Sequence, residues 1–98
     1  MDRNLNQQHP ILNSVMFEAI VKIGLKEGIS DPEGATTMKS LHLLGFDTVK
    51  DVRTQKIFLI RMDEKDEKTV RKKVDEMCQK LLTNPVIHSY EVEIRKVD

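Results

Sequence analysis

Apolar and polar residues alternate along four stretches of the chain. This pattern predicts four β-strands, because successive side chains of a strand point to opposite faces of a sheet. The third stretch also contains a run of consecutive apolar residues, 57–60, which is typical of a strand buried on both faces. Only Thr54 and Gln55 separate the second stretch from the third, so we expect a tight hairpin there. The predicted strands are residues 15–26, 48–53, 56–62 and 86–97.

Between these strands, apolar residues recur with helical spacing in two stretches. The first helix is expected to begin at Pro32, with Asp31 capping its N-terminus, and to end at Gly45. The second is expected to follow the polar segment 63–68 and to run to about residue 83, before Asn84 and Pro85. Its apolar stripe comprises Val70, Val74, Met77, Cys78, Leu81 and Leu82.

The order of the elements, β-α-β-β-α-β, places the chain in the α+β class. Right-handed crossovers put both helices on one face of a four-stranded antiparallel sheet, which gives a two-layer, ferredoxin-like arrangement. The helices then leave the other face uncovered, and Met16, Ile20 and one side of the 57–60 run lie there. Since an apolar open face on a small domain is typical of an interface, we expect self-association through the sheet.

The length of the chain suits one small domain. Of its 98 residues, the polar and aperiodic 1–13 are expected to form a disordered or loosely attached leader, and 14–98 the folded domain. Cys78 is the single cysteine, so no intramolecular disulfide can form. The sequence contains neither a secretory signal nor an apolar run long enough to span a membrane. These features together favour a cytoplasmic protein.

Charge and aromatic content argue against nucleic acid as a partner. The 16 basic and 16 acidic residues cancel, whereas a nucleic-acid binder usually shows a basic excess or stripe. Aromatic residues make up 4% of the chain, which is too few to assemble a platform for base stacking.

Residue types that perform catalysis or hold cofactors form no recognised motif in this sequence. His9, His42 and His88 lie in separate elements without metal-ligand spacing. Cys78 belongs to an apolar stripe, where a free thiol behaves as a small hydrophobe. The glycines form no phosphate-binding loop. We therefore expect no catalytic residue, cofactor site or metal site here, which is typical of a subunit that binds other proteins.

Three short segments are distinctive in their order and spacing: residues 26–34, residues 49–53 with Lys56, and residues 77–87 with Tyr90. Together they resemble the PurS family, the small subunits of phosphoribosylformylglycinamidine (FGAM) synthase in purine biosynthesis. The resemblance covers residues 17–97. Two positions depart from the family pattern: Gln55 replaces a usual glycine, and His88 stands where an acidic residue is common.

This resemblance implies a function in a ligase complex. Such complexes use ATP, magnesium and glutamine to amidate formylglycinamide ribonucleotide; a PurQ-type glutaminase releases ammonia, and a PurL-type synthetase consumes it. The PurS-type subunit is non-catalytic, forms homodimers or homotetramers, bridges the other two and supports ammonia transfer. Excluding water between the two sites keeps ammonia from becoming ammonium, which is not a nucleophile.

The matching positions suggest a set of interface residues. Arg53 and Lys56 flank the expected hairpin and suit contact with a partner, although the residues by themselves suit a solvated turn equally well. Tyr90 suits an aromatic anchor of the oligomer. The full set expected at interfaces is Asp31, Pro32, Arg53, Lys56, Asn84, Pro85 and Tyr90.

The strongest alternative is a small-ligand regulatory domain of the ACT type, since such domains share the β-α-β-β-α-β order and dimerise. They carry a glycine-bearing loop after the first strand, for which Gly28 is a poor substitute. An acylphosphatase-like enzyme would need an arginine in that loop, and residues 26–28 contain none.

Overall fold

A computed structural model of the chain describes residues 15–97. The expected leader, residues 1–13, lies outside the described residues. A short π-helical turn, Cys78–Leu82, directly continues the second helix. The remaining elements are β1 (Val15–Leu25), α1 (Pro32–Leu43), β2 (Lys56–Glu64), α2 (Glu67–Met77) and β3 (His88–Lys96).

The sheet has three strands in the order β2-β1-β3, and both neighbours run antiparallel to β1. The prediction of a fourth strand at residues 48–53, and of a hairpin at Thr54 and Gln55, is wrong. The backbone before β2 lies against the start of α1, where the Thr54 N–H donates to the carboxylate of Asp31 at 2.8 Å. Hydrogen bonding to the helix start therefore replaces the sheet ladder that alternation alone suggests.

The core forms between β1 and α2, as the two apolar patterns predict. Alternate residues of β1, from Phe17 to Ile23, are buried on one face of the sheet. Val70, Val74 and Cys78 of the predicted helical stripe pack against them and are fully buried. Met77 and Leu82 of the stripe are partly buried against this core, whereas Leu81 is exposed.

Helix α1 begins and ends as predicted. Asp31 caps it by accepting from the Gly34 N–H at 3.0 Å. At its C-terminus Gly45 adopts φ +98° and the Phe46 N–H donates to the Leu41 carbonyl, which is a Schellman cap. The expected packing of both helices on the sheet is wrong, however, since only α2 packs extensively against the strands and α1 buries only Gly34. We call residues 31–55 the arm, and the sheet with α2 the body.

The face of the sheet opposite α2 is open and partly apolar. Strand register places Leu59 of β2 beside Ile20 of β1 on this face. Ile57 and Leu59 are 54% and 64% exposed, so the expectation that residues 57–60 are buried on both faces is wrong for the single chain. The predicted apolar open face is confirmed, and self-association through it stays a prediction.

Candidate functional site

The arm joins the body at one end of the sheet, where β1 ends and its two neighbours begin. Leu25 lies opposite His88 at the start of β3, and Ile23 lies opposite Lys56 at the start of β2. This junction brings together predicted interface residues that are far apart in sequence. Those at or beside it are Asp31, Pro32, Arg53, Lys56, Asn84 and Pro85.

Asp31 holds the arm together at this junction. Its carboxylate accepts from the Gly34 N–H at 3.0 Å, the Thr54 N–H at 2.8 Å and the Thr54 hydroxyl at 3.0 Å. The backbone donors of Thr54 and Gly34 hold the pKa of this carboxyl below its usual range. Asp31 therefore acts as an ionised anchor. The role of Asp31 as a helix cap was predictable from sequence. Its hydrogen bonds with Thr54, 23 residues away, were not, because no sequence pattern indicates them.

Gly34 allows the two limbs of the arm to approach each other. A β-carbon at this position would lie well inside 3.0 Å of the Val52 carbonyl oxygen, and 2.9 Å from a carboxylate oxygen of Asp31. Only glycine fits between helix and returning chain without displacing backbone. The sequence showed Gly34 merely as part of a helix start.

Arg53 and Lys56 are exposed cations beside the junction, as expected, although no hairpin carries them. The Arg53 Nε donates to Asp51 at 3.2 Å, and the side chains of this pair are 62% and 67% exposed. The Lys56 Nζ lies 5.7 Å from the centre of the Phe58 ring, in reach of a cation–π contact. Both cations are therefore accessible to another subunit.

Asn84 and Pro85 form the turn into β3, as predicted. The Asn84 side-chain oxygen accepts from the Val86 N–H at 3.0 Å. The Asn84 N–H donates to Nδ1 of His88 at 2.9 Å, so the histidine that departs from the family pattern fastens this turn. Lys26 Nζ donates to the Pro85 carbonyl at 2.6 Å and ties the turn to the end of β1.

Tyr90 lies opposite Ile23 at the same end of the sheet, half-buried on the core side of β3, and its side chain contacts α2. Its hydroxyl donates to Asp75 and accepts from Gln79 Nε2 at 2.9 Å. The Asp75 carboxylate, which favours the neutral hydroxyl, raises the pKa of Tyr90. These hydrogen bonds connect β3 to α2. The role of Tyr90 as an aromatic anchor of the oligomer stays a prediction.

Two adjoining hollows of about 330 and 300 Å³ flank Gln55 at the junction. The larger is lined by Asp31, Asp51 and Arg53, and the smaller by Lys56 and His88. Neither contains the activated nucleophile and paired base of a catalytic site. Within residues 15–97, no group of histidine, cysteine or acidic side chains is arranged to hold a metal ion. The acidic and basic side chains that line the two hollows are better suited to contact with another protein than to catalysis or metal binding.

A cluster on the open face was not anticipated from sequence. Glu18 of β1 is 7% exposed and lies between two arginines of the neighbouring strands. Arg95 donates to it at 2.6 Å and Arg61 lies 3.7 Å away, and the Arg95 hydrogen bond lowers the pKa of Glu18. Its position on the polar face of β1 was visible in the pattern, but its partners depended on register.

Comparisons with known proteins agree with this picture. The family model for PurS, phosphoribosylformylglycinamidine (FGAM) synthase, matches residues 18–96. The PurS subunit of phosphoribosylformylglycinamidine synthase from Methanocaldococcus jannaschii is 47% identical over 83 residues, which are 85% of this chain and 100% of that protein.

Solved structures give the same result. The crystal structure of M. jannaschii PurS, one of the subunits of formylglycinamide ribonucleotide amidotransferase, has a TM-score of 0.78 at 48% identity, covering 84% of this chain and 99% of that one. A chain in the structure of PurLQS from Thermotoga maritima shares the fold, with a TM-score of 0.73 at 24% identity over 84% of this chain and 98% of that one. Among residues 15–97 no helix is long and apolar enough to cross a membrane. The chain belongs to the PurS family of FGAM synthase subunits.

Proposed function

We propose that this chain is the non-catalytic accessory subunit of a cytoplasmic FGAM synthase, where it bridges a PurL-type synthetase and a PurQ-type glutaminase and supports ammonia transfer. The observation that carries the proposal is the family match over residues 18–96. The M. jannaschii relative is named as a subunit, and a chain of the same fold occurs in the T. maritima PurLQS structure. Gly28 is the only glycine in the loop between β1 and α1, so this loop does not favour the ACT-type alternative.

The chemistry of the described side chains supports a non-catalytic role for this chain. The one thiol, Cys78, is fully buried, and desolvation raises its pKa, which keeps it a neutral and unreactive thiol. Asp31 at the junction and Glu18 on the open face are occupied by hydrogen bonds and ion pairs. The reaction itself, with its ATP, magnesium and glutamine, then belongs to the other subunits.

Exposed surfaces support assembly into a homodimer or homotetramer as part of the same function. Leu59 lies opposite Ile20 on the open face, and Ile57, two residues before it in β2, is exposed on the same face. Glu18 is already neutralised there by two arginines, which lowers the cost of covering its charge. A second layer over this face would remove apolar surface from water.

Contact with the other subunits is assigned to the exposed residues of the junction, with Arg53 and Lys56 as its leading members. Cations beside a shallow hollow can steer an acidic partner and orient its docking. Pro32, Asn84 and Pro85 are exposed beside them and complete the surface, with Asp31 holding it in shape. Tyr90 is assigned to the oligomer.

Charge reversal tests this assignment. A chain with Arg53→Glu and Lys56→Glu should capture much less synthetase in a pull-down from the source lysate, followed by mass spectrometry. The matched control reverses two exposed cations of α2, Lys68→Glu and Lys72→Glu, and should capture as much as the unaltered chain. Equal capture by both variants would remove the junction from the contact surface. Absence of synthetase and glutaminase from every sample would refute the proposed function.

A further inference from the structure

The turn into β3, residues 84–88, is closed by hydrogen bonds to the backbone of Asn84. Its carbonyl accepts from the Ile87 N–H at 3.0 Å and from the His88 N–H at 2.8 Å. Its N–H donates to Nδ1 of the His88 ring at 2.9 Å. Within residues 15–97 the Asn84 N–H makes no other hydrogen bond, so this ring nitrogen is its one acceptor there.

The bond from Asn84 fixes the protonation state of the His88 ring. A backbone N–H can only donate a hydrogen bond, so Nδ1 must present its lone pair and the ring proton must lie on Nε2. A ring with a second proton carries N–H groups on both nitrogens and accepts at neither. Protonation of His88 would therefore set one donor against another and remove the bond to Asn84.

His42, in the last turn of α1, is the opposite case. Its Nε2 lies 2.8 Å from the Val49 carbonyl oxygen, and a carbonyl oxygen can only accept. Nε2 of His42 must therefore donate, and a doubly protonated ring donates there as well as a neutral one. Acid preserves the His42 bond and removes the His88 bond.

Charged side chains from several elements surround the His88 ring. Lys26, directly after β1, donates through Nζ to the Pro85 carbonyl at 2.6 Å. Glu33 of α1 and Lys56 of β2 line the smaller hollow together with His88. The two lysines oppose a second proton on the ring and the glutamate favours it. Histidine is the side chain that ordinarily changes charge between about pH 5 and 8, so the turn should respond in this range.

We propose that His88 is the positioning residue of this turn and makes it acid-sensitive. The turn is closed while the ring is neutral, and a second ring proton opens it at Asn84. Asn84 and Pro85 are exposed members of the contact surface assigned to the synthetase, so acid then weakens docking there. The inference deepens the proposed function by naming a regulation of its contact surface, and only the docking step rests on that function.

The opening is confined to one side of the turn. The Lys26 N–H donates to the Ile87 carbonyl at 2.8 Å, and the Lys26 Nζ donates to the Pro85 carbonyl. Neither bond uses a ring nitrogen, so both remain when His88 is protonated. Acid therefore releases Asn84 and leaves the following residues attached to the end of β1.

Nitrogen NMR of the full chain tests the turn without any substitution. At about pH 8 the His88 ring should show a single tautomer with its proton on Nε2. Between about pH 8 and pH 5.5, protection of the Asn84 amide from hydrogen exchange should fall about three- to ten-fold, as expected for the loss of one hydrogen bond. Protection is corrected for the intrinsic exchange rate at each pH. A proton on Nδ1 at pH 8, or unchanged protection, would overturn the proposal.

Two variants identify the group responsible. His88→Asn places a side-chain oxygen near the position of Nδ1, where it accepts from the Asn84 N–H and does not titrate, so protection should stay constant with pH. His42→Gln keeps a donor near the position of Nε2 and is the matched control, which should show the full response of the unaltered chain. A response that persists in His88→Asn, or that disappears in His42→Gln, would overturn the assignment to His88.

Capture of purified synthetase at about pH 8 and about pH 5.5 tests the effect on docking. The ratio of capture at the higher pH to capture at the lower should be several-fold larger for the unaltered chain than for His88→Asn. Acid effects on the synthetase itself are common to both, so equal ratios would overturn the effect on docking. Capture at neither pH would refute the proposed function, and exchange of the Asn84 amide would then decide the acid-sensitive turn by itself.

Discussion

The body and the arm differ in what holds them in place. The body has a core of seven buried residues from β1, α2 and the π-helical turn. The arm buries only Gly34 in α1, and at its far end leaves Leu43, Leu44 and Phe46 exposed. Apolar burial stabilises the first, whereas the second is held by helix caps, by the Asp31 carboxylate and by the hydrogen bond from His42 Nε2 to the Val49 carbonyl at 2.8 Å. The difference indicates that apolar packing specifies the body and polar contacts specify the arm, which is consistent with the proposal that the arm contacts other subunits.

The largest predicted effect sets the core of the body against the tip of the arm. Phe17→Ala removes a ring that is 1% exposed and should lower the free energy of unfolding by about 3–5 kcal/mol. Leu43→Ala truncates a side chain that is 83% exposed and should change it by less than about 0.5 kcal/mol. Urea denaturation at protein concentrations below self-association measures both. Similar losses for the two variants would show that the arm is packed after all.

A second test disturbs the close approach within the arm. Gly34→Ala normally favours a helix, but here the added β-carbon meets the Val52 carbonyl and should cost about 1–3 kcal/mol of arm stability, as overpacking does. Thr36→Ala, at an exposed position of the same helix, is the control and should be nearly neutral. Hydrogen exchange should accelerate in α1 and leave β1 unchanged; slower exchange in Gly34→Ala would contradict the contact.

A smaller effect distinguishes two helix caps of the same type. Asp31 caps α1 and Asp66 caps α2 by accepting from the Thr69 N–H at 2.8 Å. Asp31→Ala should make amides of the arm exchange several-fold faster, with the body unaffected. Asp66→Ala should instead speed exchange in α2 and lower the midpoint of global unfolding, because α2 covers the core. Global destabilisation by both would remove the distinction between the two regions.

The smallest predicted effect is a loss of arm stability at acidic pH. Hydrogen bonds from Thr54 and Gly34 lower the pKa of Asp31 below its ordinary value of 3.8. A lowered pKa means that the ionised form is stabilised by folding, so this contribution is complete above pH 3.8 and is lost as the pH falls through the folded-state value. NMR signals of the Gly34 and Thr54 amides should shift in that range. The same titration of Asp31→Ala should lack this step, and a step of unchanged size would assign it to another group.

Sequence pattern predicted the body well because its signals are local and mutually consistent. Alternation in β1 and the stripe containing Val70 and Val74 each specify a face, and the two faces need each other. The ends of α1 were also predictable from local signals, with Asp31 and Pro32 at its start and Gly45 after its end. The fourth strand failed because alternation at residues 48–53 reports a propensity for pairing and does not identify the partner.

The candidate site was predictable only in part. Exposure of Arg53 and Lys56 followed from their charge, and the turn at Asn84 and Pro85 from its residue types. The bond from Thr54 to Asp31 and the arginines around Glu18 required the spatial placement of separate segments. Long-range polar contacts of this kind leave no periodic trace in a single sequence.

The most direct test of the proposed accessory function is reconstitution of FGAM synthase from the synthetase and glutaminase of the source organism, with and without this chain. Native mass spectrometry should show all three in one complex when it is present, and glutamine-dependent amidation should require it. Amidation supplied directly with ammonium salts should depend on it much less. A glutaminase and synthetase that associate and couple fully without this chain would contradict an accessory, bridging subunit.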